Sequence, residues 1–211
     1  MKSKLLSIIL FPVTLFSAEV GTNFFSISGG FYDNDIIVNS TTFEGDGNSY
    51  GIGYNHNLYL LENKYGIDVS ASFGYGDFEN VVFESETTSY GLSIRPFLDF
   101  GNASLYAGAT YSWGESDFTN KSTSTKSTID GDMFTAGAGF QAVIDKIVFS
   151  AGIDFPENGT SIGAGVGYKL HQNYTLGLGW DVYNGDSETA SDGSTISSKS
   201  NGLWFGLSYS L

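Results

Sequence analysis

The groups in this chain that can do chemistry are almost all carboxylates. The 211 residues carry 23 Asp and Glu against nine Lys and Arg, with two His and no Cys. Thiolate chemistry and a disulfide framework are therefore excluded. The acids crowd into four segments: Asp33, Asp35, Glu44 and Asp46; Asp77, Glu79, Glu84 and Glu86; Glu115, Asp117, Asp130 and Asp132; and Asp186, Glu188 and Asp192. Only Lys121, Lys126 and Lys199 oppose them. Carboxylates this dense make a solvated rim, and on flexible loops they also suit divalent cations, which prefer hard oxygen ligands. Glu44-Gly45-Asp46-Gly47-Asn48 and Asp130-Gly131-Asp132 are fragments of such a pattern, so Glu44, Asp46, Asp130 and Asp132 are weak calcium candidates. Neither fragment completes a calcium loop, and no other metal or cofactor is expected.

Catalysis would need a base in reach of these acids or of a serine. His56 shares the phase of Tyr54 and Leu58 on a strand, and His171 falls in a short turn on the side away from the acidic segments. Neither is placed to act, so a non-enzymatic protein is expected. Gly163-Ala164-Gly165-Val166-Gly167 and Gly137-Ala138-Gly139 keep strand phase with no following helix, which excludes a nucleotide-binding loop. A formal charge of -14 likewise argues against nucleic acid.

The elements that position these groups are strands. From about Gly21 to Leu211 every second residue is apolar or aromatic and the residues between are small or polar, as in Tyr65–Tyr75, Ile162–Tyr168 and Leu203–Leu211. Side chains of a strand alternate between faces, so one face is greasy and the other too small to fill an ordinary core. That inversion predicts lipid outside and a polar lumen inside. Ten strands are expected, at about 21–32, 48–60, 64–77, 87–100, 103–114, 132–145, 147–155, 160–171, 173–184 and 200–211, with eight as the alternative if the 147–171 hairpin is miscounted. Short turns (61–63, 101–102, 145–146, 171–172) alternate with long loops at 33–47, 78–86, 115–131 and 185–199 and a compact connection at 156–159. On the outward face, Tyr65, Phe100, Tyr168, Tyr174 and Tyr209 fall near the short turns. Tyr50, Tyr75, Tyr90, Trp113, Phe134 and Trp180 fall near the long loops. These make the two aromatic belts of a membrane-crossing sheet.

At the N-terminus, Lys2 and Lys4 precede an apolar stretch from Leu5 to Phe16, and Ser17-Ala18 ends it. Residues 1–18 are expected to be a secretory signal peptide and 19–211 a single barrel domain. Removing the two lysines moves the charge from -14 to -16.

The pattern over nearly all of 19–211 resembles the small outer-membrane β-barrel superfamily of Gram-negative bacteria. The resemblance implies an all-β, single, closed, antiparallel up-and-down barrel with both termini in the periplasm. Leu203, Phe205, Leu207 and Tyr209 match the family's terminal strand, a recognition signal for the barrel-assembly machinery, while Leu211 departs from its usual final Phe. Implied partners are outer-membrane lipid and lipopolysaccharide; a monomer is expected.

Inward phase assigns a lumenal polar network of Asp68, Arg95, Asp99, Gln141, Asp154, Lys169 and Asp181. Asp68 and Arg95, the chain's single arginine, sit at similar heights above a shared turn. They are expected to pair, with Asp99 nearby, because an unpaired guanidinium in a confined space is costly. Small lumen residues favour a narrow, cation-preferring pore. Inward Phe97, Tyr106, Tyr183 and Trp204 and the long loops favour a barrel that displays its acidic loops.

Overall fold

The computed structural model describes residues 19–62, 64–189 and 193–211. The expected signal peptide at 1–18, Asn63 of the first short turn and Asp192 lie outside the described residues. Eleven strands follow in order: β1 (Phe24–Val38), β2 (Thr41–Leu61), β3 (Tyr65–Asn80), β4 (Phe83–Asp99), β5 (Ala103–Asn120), β6 (Lys126–Ile144), β7 (Ile147–Pro156), β8 (Gly159–His171), β9 (Tyr174–Gly185), β10 (Glu188–Thr189) and β11 (Thr195–Ser210). Each pairs antiparallel with its neighbour, and β1 pairs with β11 from Phe24↔Ser210 to Val38↔Ile196, closing the ring. The two-residue β10 pairs only with β11, so ten strands form the wall. Closure leaves no unpaired sheet edge, the condition for a sheet to cross hydrocarbon. Among the described residues no helix is long and apolar enough to cross a membrane, so any crossing is made by these strands.

The burial pattern is inside out. Phe25, Ile27, Ile52, Leu92, Leu105, Leu176 and Leu203 are all more than 45% exposed, whereas Asn34, Asn55, Asp68, Ser116 and Ser208 are almost wholly buried. Soluble proteins do the reverse. Both expected aromatic belts face outward, from Tyr65, Phe100, Tyr168, Tyr174 and Tyr209 at one end to Tyr50, Tyr90, Trp113, Phe134 and Trp180 at the other. Neighbouring rings touch around the belts: Tyr174 and Tyr209 at 4.9 Å, Tyr90 and Trp113 at 5.9 Å between centroids.

The long loops are a correction. Most of 33–47, 78–86 and 115–131 is strand, because β1 to β6 continue past the outer belt as hairpins. The β1–β2 hairpin ends in a two-residue turn at Asn39 and Ser40, both at positive φ (48° and 68°), the conformation that matches strand twist. Sequence alternation fades there because outward residues change from apolar to acidic while the backbone keeps its phase. β7 and β8 are shorter than β1 to β6 and turn back early, so the rim is tall on one side and low on the other. The first strand also begins at Phe24 rather than at residue 21.

The lumenal glycines have a role beyond smallness. Phe97 lies directly across from Gly66, Trp204 across from Gly30 and Tyr106 across from Gly139, and in each case a Cβ on the glycine would overlap the ring. The inward aromatics therefore lie flat against the wall, each on a glycine of the next strand.

Candidate functional site

Two sets of polar groups stand out, one inside the barrel and one outside it. Inside, Arg95 Nη2 donates to Asp68 Oδ2 at 2.8 Å, the pair that the shared turn of β3 and β4 sets opposite one another. The Asp68 carboxylate is 1% exposed and also accepts from Asn57 Nδ2 at 2.9 Å and from the backbone N–H of Gly21 at 3.2 Å. The Arg95 guanidinium lies over the Tyr106 ring, 5.1 Å from its centroid. Asp99 does not join them: it accepts from Gly101 N at 2.8 Å and holds the β4–β5 turn, because its height puts it at the strand end.

Gln141 and Lys169 belong to a contact that sequence pattern did not reveal. Residues 19–23, just before β1, run across the short-turn mouth. Glu19 forms an ion pair with Lys169 of β8, Val20 N donates to Gln141 Oε1 of β6 at 2.7 Å, and Gly21 N reaches Asp68 of β3. Thr22 O accepts from Asn55 Nδ2 at 2.8 Å, and Asn23 Oδ1 accepts from Asn57 N at 2.6 Å. β3 and β8 face each other across a ten-strand ring, so this stretch spans the mouth. It has no periodicity; its only signal is the complementary charge of Glu19 and an inward Lys169.

The other end is filled differently. Tyr32, Ile36 and Phe78 form a buried apolar cluster with Val38, Phe83 and Ile196 packed on it. The Tyr32 and Phe78 rings stack at 6.4 Å, and Tyr32 Oη donates to Asp77 O at 2.6 Å. Between the two closures lies a cavity of about 100 Å³ whose charged lining residues are Arg95, Asp154 and Asp181. Asp181 accepts from Trp204 Nε1.

Outside, directly beyond the outer belt and in the same outward phase, acids stand opposite acids across the ladder. The pairs are Asp33↔Asp46, Asp35↔Glu44, Asp46↔Glu79, Glu79↔Glu84, Asp77↔Glu86, Glu86↔Asp117 and Glu115↔Asp130. Lys121 pairs with Glu79, and Lys199 stands opposite Asp35. Like charges directly opposed are destabilising. The calcium candidates Glu44, Asp46, Asp130 and Asp132 sit in this ladder on straight strand, not in chelating loops. Residues two apart on a strand are about 6.6 Å apart, too far for Asp130 and Asp132 to wrap one ion as a loop does. Among the described residues no group of three or more His, Cys, Asp or Glu is arranged to hold a bare metal ion.

His56 is exposed and lies 3.3 Å from Tyr54 Oη, and His171 ends β8 at the short-turn end. Neither is in the acidic ladder.

No protein-family model matches the chain, and no curated protein matches it in sequence. Solved structures match in shape. The transport unit of the autotransporter AIDA-I from Escherichia coli aligns with a TM-score of 0.59 and 12% identity over 98% of this chain and 96% of that one. The translocator domain of the autotransporter NalP from Neisseria meningitidis aligns at 0.55 and 10% over 90% and 89%. The outer membrane protease OmpT from Escherichia coli aligns at 0.55 and 12% over 94% and 99%. At such identities the likeness is one of fold. With its closed wall, inverted burial and two aromatic belts, the chain has the fold of an outer-membrane β-barrel.

Proposed function

We propose that this protein is a non-enzymatic integral barrel of a Gram-negative outer membrane, its short turns and both termini in the periplasm, that displays a rigid acidic surface outside the cell. The observation that carries this reading is the ladder of opposed carboxylates. It weakens the very hairpins that hold it, so its use lies in what it presents rather than in folding. It begins two residues above Tyr75 and Trp113 and four above Tyr50 and Tyr90, the height of lipopolysaccharide headgroups. Divalent ions such as calcium gather there weakly as counter-ions and bridge the carboxylates to lipid phosphates. The histidines, far from these acids, support a protein without catalysis. The outward alternation of Leu203, Phe205, Leu207 and Tyr209 on β11 supports delivery by the barrel-assembly machinery, and the completed ring supports a monomer.

The test compares binding of the refolded barrel to lipopolysaccharide aggregates with that of a variant carrying Asp46→Asn, Glu79→Gln and Glu86→Gln. Calcium-dependent binding should fall at least several-fold in the variant; equal binding removes the display reading. A second reading, a narrow cation-preferring pore, is favoured by the acid-lined cavity. Single-channel recording separates the two. A pore gives steady cation-selective steps, whereas a display barrel, with both mouths obstructed, gives none.

A further inference from the structure

The cavity between the two closures carries charge that no described residue is placed to balance. Arg95 is committed to Asp68, and Lys169 to Glu19. That leaves Asp154 and Asp181 as two carboxylates facing one hollow of about 100 Å³. Asp154 is pressed over Gly137 on one side, and Asp181 reaches Trp204 on the other. Independently, Ser150 is 6% exposed, lines the same hollow, and its hydroxyl has no hydrogen-bond partner. Arg95 Nε, a donor, is also buried without one. An occupant must therefore be positive, yet offer both donors and acceptors around its surface.

We propose that the cavity binds one hydrated divalent cation, held through its water shell by Asp154 and Asp181. The spacing fits. Ser161 of β8 stands opposite Asp154 of β7, and Gly163 of β8 stands opposite Asp181 of β9. The two acids are thus on strands two apart, about 9.5 Å at ordinary strand spacing, and offset by two residues along the wall, about 6.6 Å, so their backbones are roughly 11–12 Å apart. A bare ion cannot bridge that gap, in keeping with the lack of a third carboxylate. A magnesium ion with its waters reaches farther: metal–oxygen bonds of about 2.1 Å and hydrogen bonds of about 2.7 Å on each side span roughly 9.6 Å from one carboxylate oxygen to the other, and both side chains extend from the wall into the hollow. Water in such a shell donates to carboxylates and to Ser150 Oγ, and the shell's outer waters accept from Arg95 Nε. Access lies over the low rim, since Asp154 is two residues from the end of β7. The inference does not depend on whether the barrel displays or conducts.

The experiment is melting of the full refolded barrel in micelles, at fixed high ionic strength, with magnesium chloride or with cobalt(III) hexaammine. The latter mimics hydrated magnesium and cannot shed its ligands. Both should raise the melting temperature of the wild type saturably. Asp154→Asn with Asp181→Asn should abolish both shifts, and the Asp46→Asn, Glu79→Gln, Glu86→Gln variant should keep them. A shift retained by the Asp154→Asn, Asp181→Asn variant overturns the proposal. So does a wild type that responds to magnesium but not to cobalt hexaammine, or to neither, a result that needs no variant to fold.

Discussion

The two ends of the barrel are occupied by opposite means. At the short-turn mouth, residues 19–23 are held by an ion pair and backbone hydrogen bonds to β2, β3, β6 and β8. At the hairpin mouth, Tyr32, Ile36 and Phe78 pack on one another as a buried apolar cluster. The polar closure ties a separate stretch of chain to a finished wall. The apolar closure is made by the wall strands themselves. The difference teaches that a barrel with no solid core gains a conventional one only where its strands rise beyond the membrane.

Breaking the apolar end should cost most. Phe78→Ala removes a ring that is 1% exposed and should lower stability by about 4 kcal/mol, read from urea unfolding in micelles, while hydrogen exchange of residues 19–23 stays unchanged. Next is Asp68→Asn, which strands the Arg95 guanidinium in the lumen at about 3 kcal/mol. Adding Arg95→Met should recover much of that loss, and no recovery would mean the pair is not coupled. A glycine seat comes third: Gly66→Ala forces Phe97 off the wall for about 2 kcal/mol, and Phe97→Leu in the same chain should relieve it. Lys169→Gln should cost least, below about 1 kcal/mol, because its pair with Glu19 is partly exposed. Its readout is faster amide exchange at residues 19–21 with the hairpin end undisturbed. If exchange quickened equally at both ends, the two closures would be one cooperative unit.

Particular residues show where pattern was enough. Asp68 and Arg95 could be matched because both keep the inward phase and each stands a few residues from the short turn that bounds its own strand, at 61–63 and 101–102, and the register places them opposite one another. The same counting misplaced Asp99, since it fixes height but not which partner a side chain takes near a turn. The hairpins above the belt look like loops in the sequence because Asp33, Asp35, Glu44 and Asp46 replace the apolar outward beat. Tyr32, Asn34 and Ile36 kept the inward phase and were the usable signal.

The closed ring settled ten strands over eight, whereas the amino-acid order alone determined the strand period, an even up-and-down succession of strands and which side of each strand is apolar. These are properties of a residue and its neighbours two places away. Only the closed ring decided that Glu19 meets Lys169, that Ile196 packs against the cluster of Tyr32, Ile36 and Phe78, and that Asp154 and Asp181 share a hollow. Curvature brings those groups together from strands far apart in the chain, and no local period encodes a distance across a lumen.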